Sequence, residues 1–249
     1  MAVQPTLLLI ADIAGYTRFM KMHDTSLVHA QQIIADLLEA VIDAARPQLR
    51  LAKLEGDAAF FYMPAPRDDE RASALIDERA ATIYRAFHAR AADIKTNTLC
   101  PCDGCQQAGN LKIKLVGHAG GVAMQKVKRM TELAGVDVIV VHRMLKNAVP
   151  VAEYLLVTQP VHAMLGDALR EQAAAFDLEL DGIGPTPAWY LDLARHVPKL
   201  APARKRSTLA RVGGFLGFAV RTIPYALRLR KACEGFRNVP DAHRASPPG

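Results

Sequence analysis

Two short apolar runs that each end on a carboxylate constrain this chain more than any other feature. Leu7-Leu8-Leu9-Ile10-Ala11 stops at Asp12, and Gly15 follows three residues on. Forty-five positions after Asp12, Leu51-Ala52-Lys53-Leu54-Glu55-Gly56 delivers Asp57, and a second apolar run, Ala58 to Tyr62, leaves it. Short apolar runs bounded by turn residues read as buried strands, and Glu55-Gly56-Asp57 reads as the tight turn of a hairpin. Two carboxylates at the ends of neighbouring buried strands are costly to ionise unless a cation or hydrogen bonds compensate them. A divalent metal is the simplest compensation, because Mg²⁺ takes one or two carboxylates and keeps its other positions for water and phosphate.

The remaining periodicities place these strands in an alternating order. Gly15 to about Ala45 is predicted helical, with Leu27, Ile33, Leu37, Val41 and Ile42 spaced near three and four. A second long helix is expected from Asp68 to about Ala92. Leu111–His118 and Val122–Val127 read as a pair of strands around Gly120-Gly121, and a helix is expected through Arg143. Tyr154–Thr158, Phe176–Leu180 and Ala188–Leu193 complete the strand candidates. This order predicts an α+β fold: a ferredoxin-like βαββαβ sandwich with a mostly antiparallel sheet and helices on one face.

Charge divides the chain. Residues 196–249 carry eleven Lys/Arg against two Asp/Glu, which leaves twenty against twenty-three in residues 1–195. The expected organisation is a body over 1–195, with a cysteine-bearing loop at 97–110, and a basic tail over 196–249 whose end is disordered. No apolar run approaches the roughly 20 residues of a spanning helix. The N-terminus lacks the basic region of a signal peptide, so the expected location is cytoplasmic, with the cysteines reduced.

Four motifs then resemble the catalytic domain of the class III adenylate/guanylate cyclases. Asp12-Ile13-Ala14-Gly15-Tyr16-Thr17 is similar to the family's first metal motif, and Lys53-Leu54-Glu55-Gly56-Asp57 to its second. Val116-Gly117-His118-Ala119-Gly120 resembles its His-Thr-Gly hairpin, and Gly135 to Arg143 its Gly-x-x-Val-Asn-x-Ala-x-Arg helix. The similarity runs in order over residues 5–192, as in a divergent bacterial branch with an added cysteine loop. It implies a homodimer with composite sites that turns ATP into 3′,5′-cyclic AMP and pyrophosphate. Asp12, Asp57 and the backbone carbonyl of Ile13 would hold two Mg²⁺ or Mn²⁺ ions. Lys53 and Glu132 of the partner would read the purine, and Arg143 would be the transition-state arginine, a planar, permanently charged donor fork.

The departures define an alternative. The family's transition-state Asn falls on Ile139, and no lysine lies near Gly182-Ile183-Gly184-Pro185, where the family binds the terminal phosphates. Losing one such donor typically costs a factor of about a hundred or more in rate. Three readings follow: a slow cyclase, a cyclase in which His142 or Lys146 substitutes, or a silent nucleotide- or metal-binding regulatory module. Glu55 stands where the family has an apolar residue, either solvated or as a third carboxylate near the metals. His118 reads as a hydrogen-bonded strand histidine.

Two features fall outside that resemblance. Cys100, Cys102 and Cys105 lie within six residues, and three readings stay open: a thiolate metal site such as Zn²⁺, a redox cluster, or a plain reduced loop. In the tail, Leu209, Val212, Leu216, Val220, Ile223 and Leu227 form an apolar stripe flanked by arginines. That pattern suits an anionic membrane surface, a partner groove or packing on the body, and the surface reading would make the protein peripheral at the inner membrane. Nucleic acid is not expected, since stacking aromatics are not evident.

Overall fold

Leu7 to Ile13 is apolar at nearly every position because the strand that carries it is buried on both faces. In the computed structural model, which describes residues 3–21, 27–66, 69–99, 105, 107–128, 130–198, 203–209 and 211–213, this strand is β1 (Val3–Ala14). Leu7, Leu9, Ala11 and Ile13 enter one core, and Leu8 and Ile10 enter the other. Strand alternation accounts for that division.

The chain continues through α1 (Tyr16–Lys21), α2 (Leu27–Ala45), β2 (Arg50–Glu55), β3 (Ala58–Pro64) and α3 (Asp69–Asn97). After a 3₁₀ turn at Ala108–Asn110 come β4 (Lys112–Val127), β5 (Met130–Ala134), α4 (Val136–Arg143) and β6 (Tyr154–Thr158). Two short helices, α5 (Gln159–Ala163) and α6 (Asp167–Gln172), precede β7 (Ala174–Leu180), β8 (Gly184–Asp192) and α7 (Leu193–His196). The described strands form one eight-stranded sheet in the order β2-β3-β1-β4-β6-β8-β7, with β5 paired to β4. Only β4 and β6 run parallel. The expected α+β sandwich with a mostly antiparallel sheet is therefore what the chain adopts.

The long helices α2 and α3 lie together on one face. Ile33, Ile34, Leu37 and Val41 of α2 and Ile83 and Phe87 of α3 fill the core between them and the sheet. Helices were expected on one face alone, but α4 covers the opposite one, because its Val140 and Val141, with Met144 beyond its end, pack on Leu8, Ile10, Phe60, Val116 and Leu156. The outer side of α4 stays bare, with Val136 66% and Ile139 48% exposed.

Two strands around Gly120-Gly121 were expected, but β4 runs unbroken through both glycines. The pair serves close approach rather than a turn. A Cβ on Gly120 would lie 2.1 Å from Cγ of Asp137, so only glycine lets α4 bring that carboxylate against the strand. Gly121 N–H donates to Asp137 Oδ2 at 2.7 Å.

The start of the tail is held by the end of α3. Asn97 Nδ2 donates to the Arg204 carbonyl at 3.1 Å, and Arg206 N–H donates to Asn97 Oδ1 at 2.8 Å. Arg206 also pairs with Asp93 at 2.7 Å. Beyond this clamp Leu209 is 86% exposed, so at that residue the apolar stripe does not pack on the body. Residues 214–249, which include the stripe from Leu216 onward and the expected disordered end, lie outside the described residues. Among the described residues, no helix is long and apolar enough to cross a membrane.

Candidate active site

The β2–β3 turn and the end of β1 bring Asp12 and Asp57 together. Asp12 pairs with Ala58 across β1 and β3, and Ile13 N–H donates to the Asp57 carbonyl at 3.1 Å. Gly56, at φ +68°, supplies the left-handed residue that closes the turn. Both carboxylates are half-buried. Burial, then the charge of Asp57, pushes Asp12 up to about 6, against a smaller opposing pull from Lys114. Burial also raises Asp57, and burial followed by the Asp57 charge raises the Tyr16 phenol.

A paired carboxylate raised this far is short of positive charge, which is the condition a bound divalent cation relieves. Asp12, Asp57 and the Ile13 carbonyl therefore fit a hard cation by donor chemistry. Among the described residues, no group of three or more His, Cys, Asp or Glu converges on a common point, so the fit is that of a two-carboxylate site.

The register extends this site into a row across the sheet. Glu55 pairs with Ala58, Ala58 with Asp12, Asp12 with Lys114 and Lys114 with Tyr154. These residues share the face covered by α4. The Lys114 ammonium lies 5.9 Å from the centre of the Tyr154 ring. Lys114 and Tyr154 were not identified from sequence, because only the strand register puts them beside Asp12.

Glu55 does not join the carboxylate pair. Its Oε1 is 2.8 Å from Lys53 Nζ and 3.0 Å from His142 Nε2. Burial raises its pKa, but the hydrogen bonds from Lys53 and His142 outweigh that and leave it lowered. His142 also lies edge-on to Phe60, with ring centres 4.8 Å apart.

Arg143 points elsewhere. Its Nη1 lies 3.2 Å from Asp181 in the β7–β8 turn but forms no hydrogen bond there; the contact is one of charge, off the N–H axis. The two neighbouring basic residues thus face opposite ends of the sheet order, His142 towards β2 and β3, Arg143 towards β7. The charges that act on Asp12 are Asp57 and Lys114. Glu132 is partly buried on β5, opposite Gln125, and β5 touches β2, the strand of Lys53. One chain therefore holds three separate clusters, the carboxylate pair, Lys53 with Glu55 and His142, and the Arg143–Asp181 contact, while Glu132 stands on β5.

His118 is the hydrogen-bonded strand histidine expected from sequence. Its Nδ1 is 2.7 Å from Thr158 Oγ1, and its Nε2 is 2.9 Å from Asp137 Oδ1. Cys105 is 1% exposed within the core and accepts from Thr98 Oγ1 at 3.4 Å. Cys100 and Cys102 lie outside the described residues.

Comparisons with known proteins agree with this fold. The family described as "Protein of unknown function (DUF2652)" matches residues 34–154. Adenylyl cyclase CyaB from P. aeruginosa superposes with a TM-score of 0.50 at 12% identity, covering 81% of this chain and 98% of its own. An adenylate cyclase from Trypanosoma brucei gives 0.50 at 18% identity, covering 82% and 95%. A bacterial light-regulated adenylyl cyclase gives 0.55 at 13% identity, covering 85% of this chain and 56% of that one. At these identities the likeness concerns the fold. The uncharacterized protein Rv2561/Rv2562 of Mycobacterium tuberculosis is 45% identical over 207 residues, 83% of this chain and 94% of that protein. The chain therefore belongs to one family with Rv2561/Rv2562, built on the fold of nucleotidyl cyclase catalytic domains.

Proposed function

We propose that this protein is a nucleotidyl cyclase of a divergent, cysteine-loop-containing bacterial branch, converting ATP into 3′,5′-cyclic AMP and pyrophosphate at a slow rate. The observation that carries the reading is the under-compensated pair Asp12 and Asp57, delivered by β1 and the β2–β3 turn where the cyclase fold keeps its metal site. Two Mg²⁺ or Mn²⁺ ions there would lower the barrier to attack by the ribose 3′-hydroxyl and neutralise the triphosphate.

The chain's own residues divide the remaining work. Asp12, Asp57 and the Ile13 carbonyl hold the cations. Lys53, beside Glu132's strand, reads the purine edge. Arg143 offers its guanidinium to charge that builds on the phosphate. Since these groups are separated within one chain, the reading requires a homodimer in which one protomer's carboxylates meet the other's Lys53 and Arg143. Val136 and Ile139, bare on α4, suit such an interface. The basic tail adds contact with an anionic membrane surface from the cytoplasmic side, for which the exposed Leu209 and the charge of residues 196–249 speak.

The second reading, a silent nucleotide- or metal-binding module, is favoured by Ile139, which carries no donor, and by Arg143, which is engaged with Asp181. One experiment separates the two. Purified protein is incubated with each NTP and Mg²⁺ or Mn²⁺, and the products are read by mass spectrometry. A cyclic product lost in Asp57→Ala supports the enzyme; nucleotide binding without product supports the module.

A further inference from the structure

A cleft of about 590 Å³ lies between the last turns of α3 and residues 203–207 of the tail. None of its residues is among those assigned to metal, purine or transition state. One buried side chain builds it. Asn97, the last residue of α3, is 9% exposed. Its Nδ2 donates to Asp93 Oδ1 at 2.8 Å and to the Arg204 carbonyl at 3.1 Å, and its Oδ1 accepts from the Arg206 N–H at 2.8 Å. Arg211 Nε donates to the Asn97 carbonyl at 3.4 Å. The backbone on both sides of Lys205 is thereby fixed to the body, so its cations are presented at a set place.

These cations are differently committed. Arg206 is paired with Asp93 at 2.7 Å. Arg204 and Lys205 are exposed and line the cleft, and neither side chain forms an ion pair or hydrogen bond among the described residues. Adjacent cations of this kind attract a phosphate ester. What surrounds them selects the form in which that phosphate arrives. Leu99, two residues beyond Asn97, and Val212, beside Arg211, are each 39% exposed, and Leu209 is barer still. Aliphatic surface left in water next to cations fits the boundary between headgroups and acyl chains, where both are satisfied together. No aromatic side chain lines the cleft among the described residues, so the stacking platform that single-stranded nucleic acid uses is missing there. We propose that this cleft seats the headgroup of an anionic phospholipid, with the phosphodiester on Arg204 and Lys205 and with Leu99, Leu209 and Val212 at the acyl boundary beside it. This seat deepens the membrane contact proposed above for the tail, on which it rests, and stands apart from the cyclase reading.

The test is co-sedimentation of the full-length chain with vesicles of phosphatidylcholine, alone or mixed with phosphatidylglycerol. The mixed vesicles should bind about tenfold or more tightly, and that binding should fall steeply as salt rises. Arg204→Gln/Lys205→Gln should weaken it by a factor of about ten or more, since each cation at such a surface contributes roughly fivefold. Lys126→Gln/Lys128→Gln removes the same charge at the far end of β4 and should change binding by less than about twofold. Asn97→Ala keeps the charge but releases the segment, and should weaken binding about fivefold. Leu209→Gln, at a bare position, should weaken it by a similar factor. Millimolar glycerol 3-phosphate should not displace the chain from the mixed vesicles, and a short DNA duplex should bind more weakly than they do. No preference for the mixed vesicles overturns the membrane contact itself, and the seat with it. Three results overturn the seat alone and leave the tail on the membrane: binding that survives Arg204→Gln/Lys205→Gln, an equal loss in Lys126→Gln/Lys128→Gln, or no loss in Leu209→Gln and in folded Asn97→Ala. Displacement by glycerol 3-phosphate makes the cleft a soluble-anion site, and tighter binding of the duplex makes it a nucleic-acid surface; either result overturns the proposal.

Discussion

His142 reaches Glu55 across eighty-seven residues, with Nε2 3.0 Å from Oε1. The same oxygen is 2.8 Å from Lys53, so a single carboxylate ties α4 to the β2 strand. A double-mutant cycle of Glu55→Gln and His142→Ala, followed by chemical denaturation, should return a coupling of about 0.5–1 kcal/mol, as for a partly exposed pair. Coupling indistinguishable from zero would show that the contact does not fasten the helix.

Asp12 should behave as a stability liability in the metal-free protein. Its folded pKa is raised to about 6, so the folded state holds the proton more tightly than the unfolded state does. Stability attributable to this group is therefore present at low pH and lost as pH rises through the interval ending near 6. Asp12→Asn removes the loss. Its Tm in a chelator should exceed that of the parent above pH 6, and the gap should narrow as pH falls below it. Mn²⁺ should raise the Tm of the parent and leave Asp12→Asn unmoved.

Gly120 and Asp137 form a steric pair. Gly120→Ala places a methyl within 2.1 Å of the Asp137 carboxylate carbon and should cost about 1–3 kcal/mol through overpacking. Adding Asp137→Ala removes the obstacle, so the double variant should be less destabilised than the sum of the singles, as equilibrium unfolding would reveal.

Glu153 organises a buried polar knot. It accepts from the Ile113 N–H at 3.2 Å, lies 2.6 Å from His88 Nε2 and meets Tyr84 OH at 3.5 Å. Burial raises its pKa, yet the His88 hydrogen bond and the accompanying charges leave it lowered. A lowered carboxylate stabilises the fold above its unfolded pKa and loses that contribution as pH falls through the folded value. Glu153→Ala should cost about 2–3 kcal/mol at neutral pH, with the deficit shrinking in acid.

Ile139→Asn tests the choice between enzyme and module. An amide at this exposed position on α4 restores a donor that the cyclase motif uses. Turnover of NTP to cyclic product should rise by a factor of about ten or more if the site is merely weakened. No gain in a folded variant that still binds nucleotide favours the module.

The strands and long helices were legible because their periodicity follows from burial. Leu7 to Ile13 announces a two-faced strand, and α2 shows its inward stripe plainly. Asp12 and Asp57 were also legible, since each sits at the junction of an apolar run and a turn. Lys114, Tyr154 and the pairing of Glu55 with His142 were not, because these depend on register and on which face α4 covers. Gly120-Gly121 misled for a physical reason: glycine marks turns and close approaches alike, and here a side chain from a later helix needed the space.

The clamp of Asn97 on residues 204 to 206 gives the tail a mechanical point of entry. A pull on the tail is borne by the last turn of α3 before it can reach the sheet. From there Thr98 touches the buried Cys105, ahead of the 3₁₀ turn that leads into β4. The place where the tail leaves the body is thus set by the end of α3 and not by the sheet.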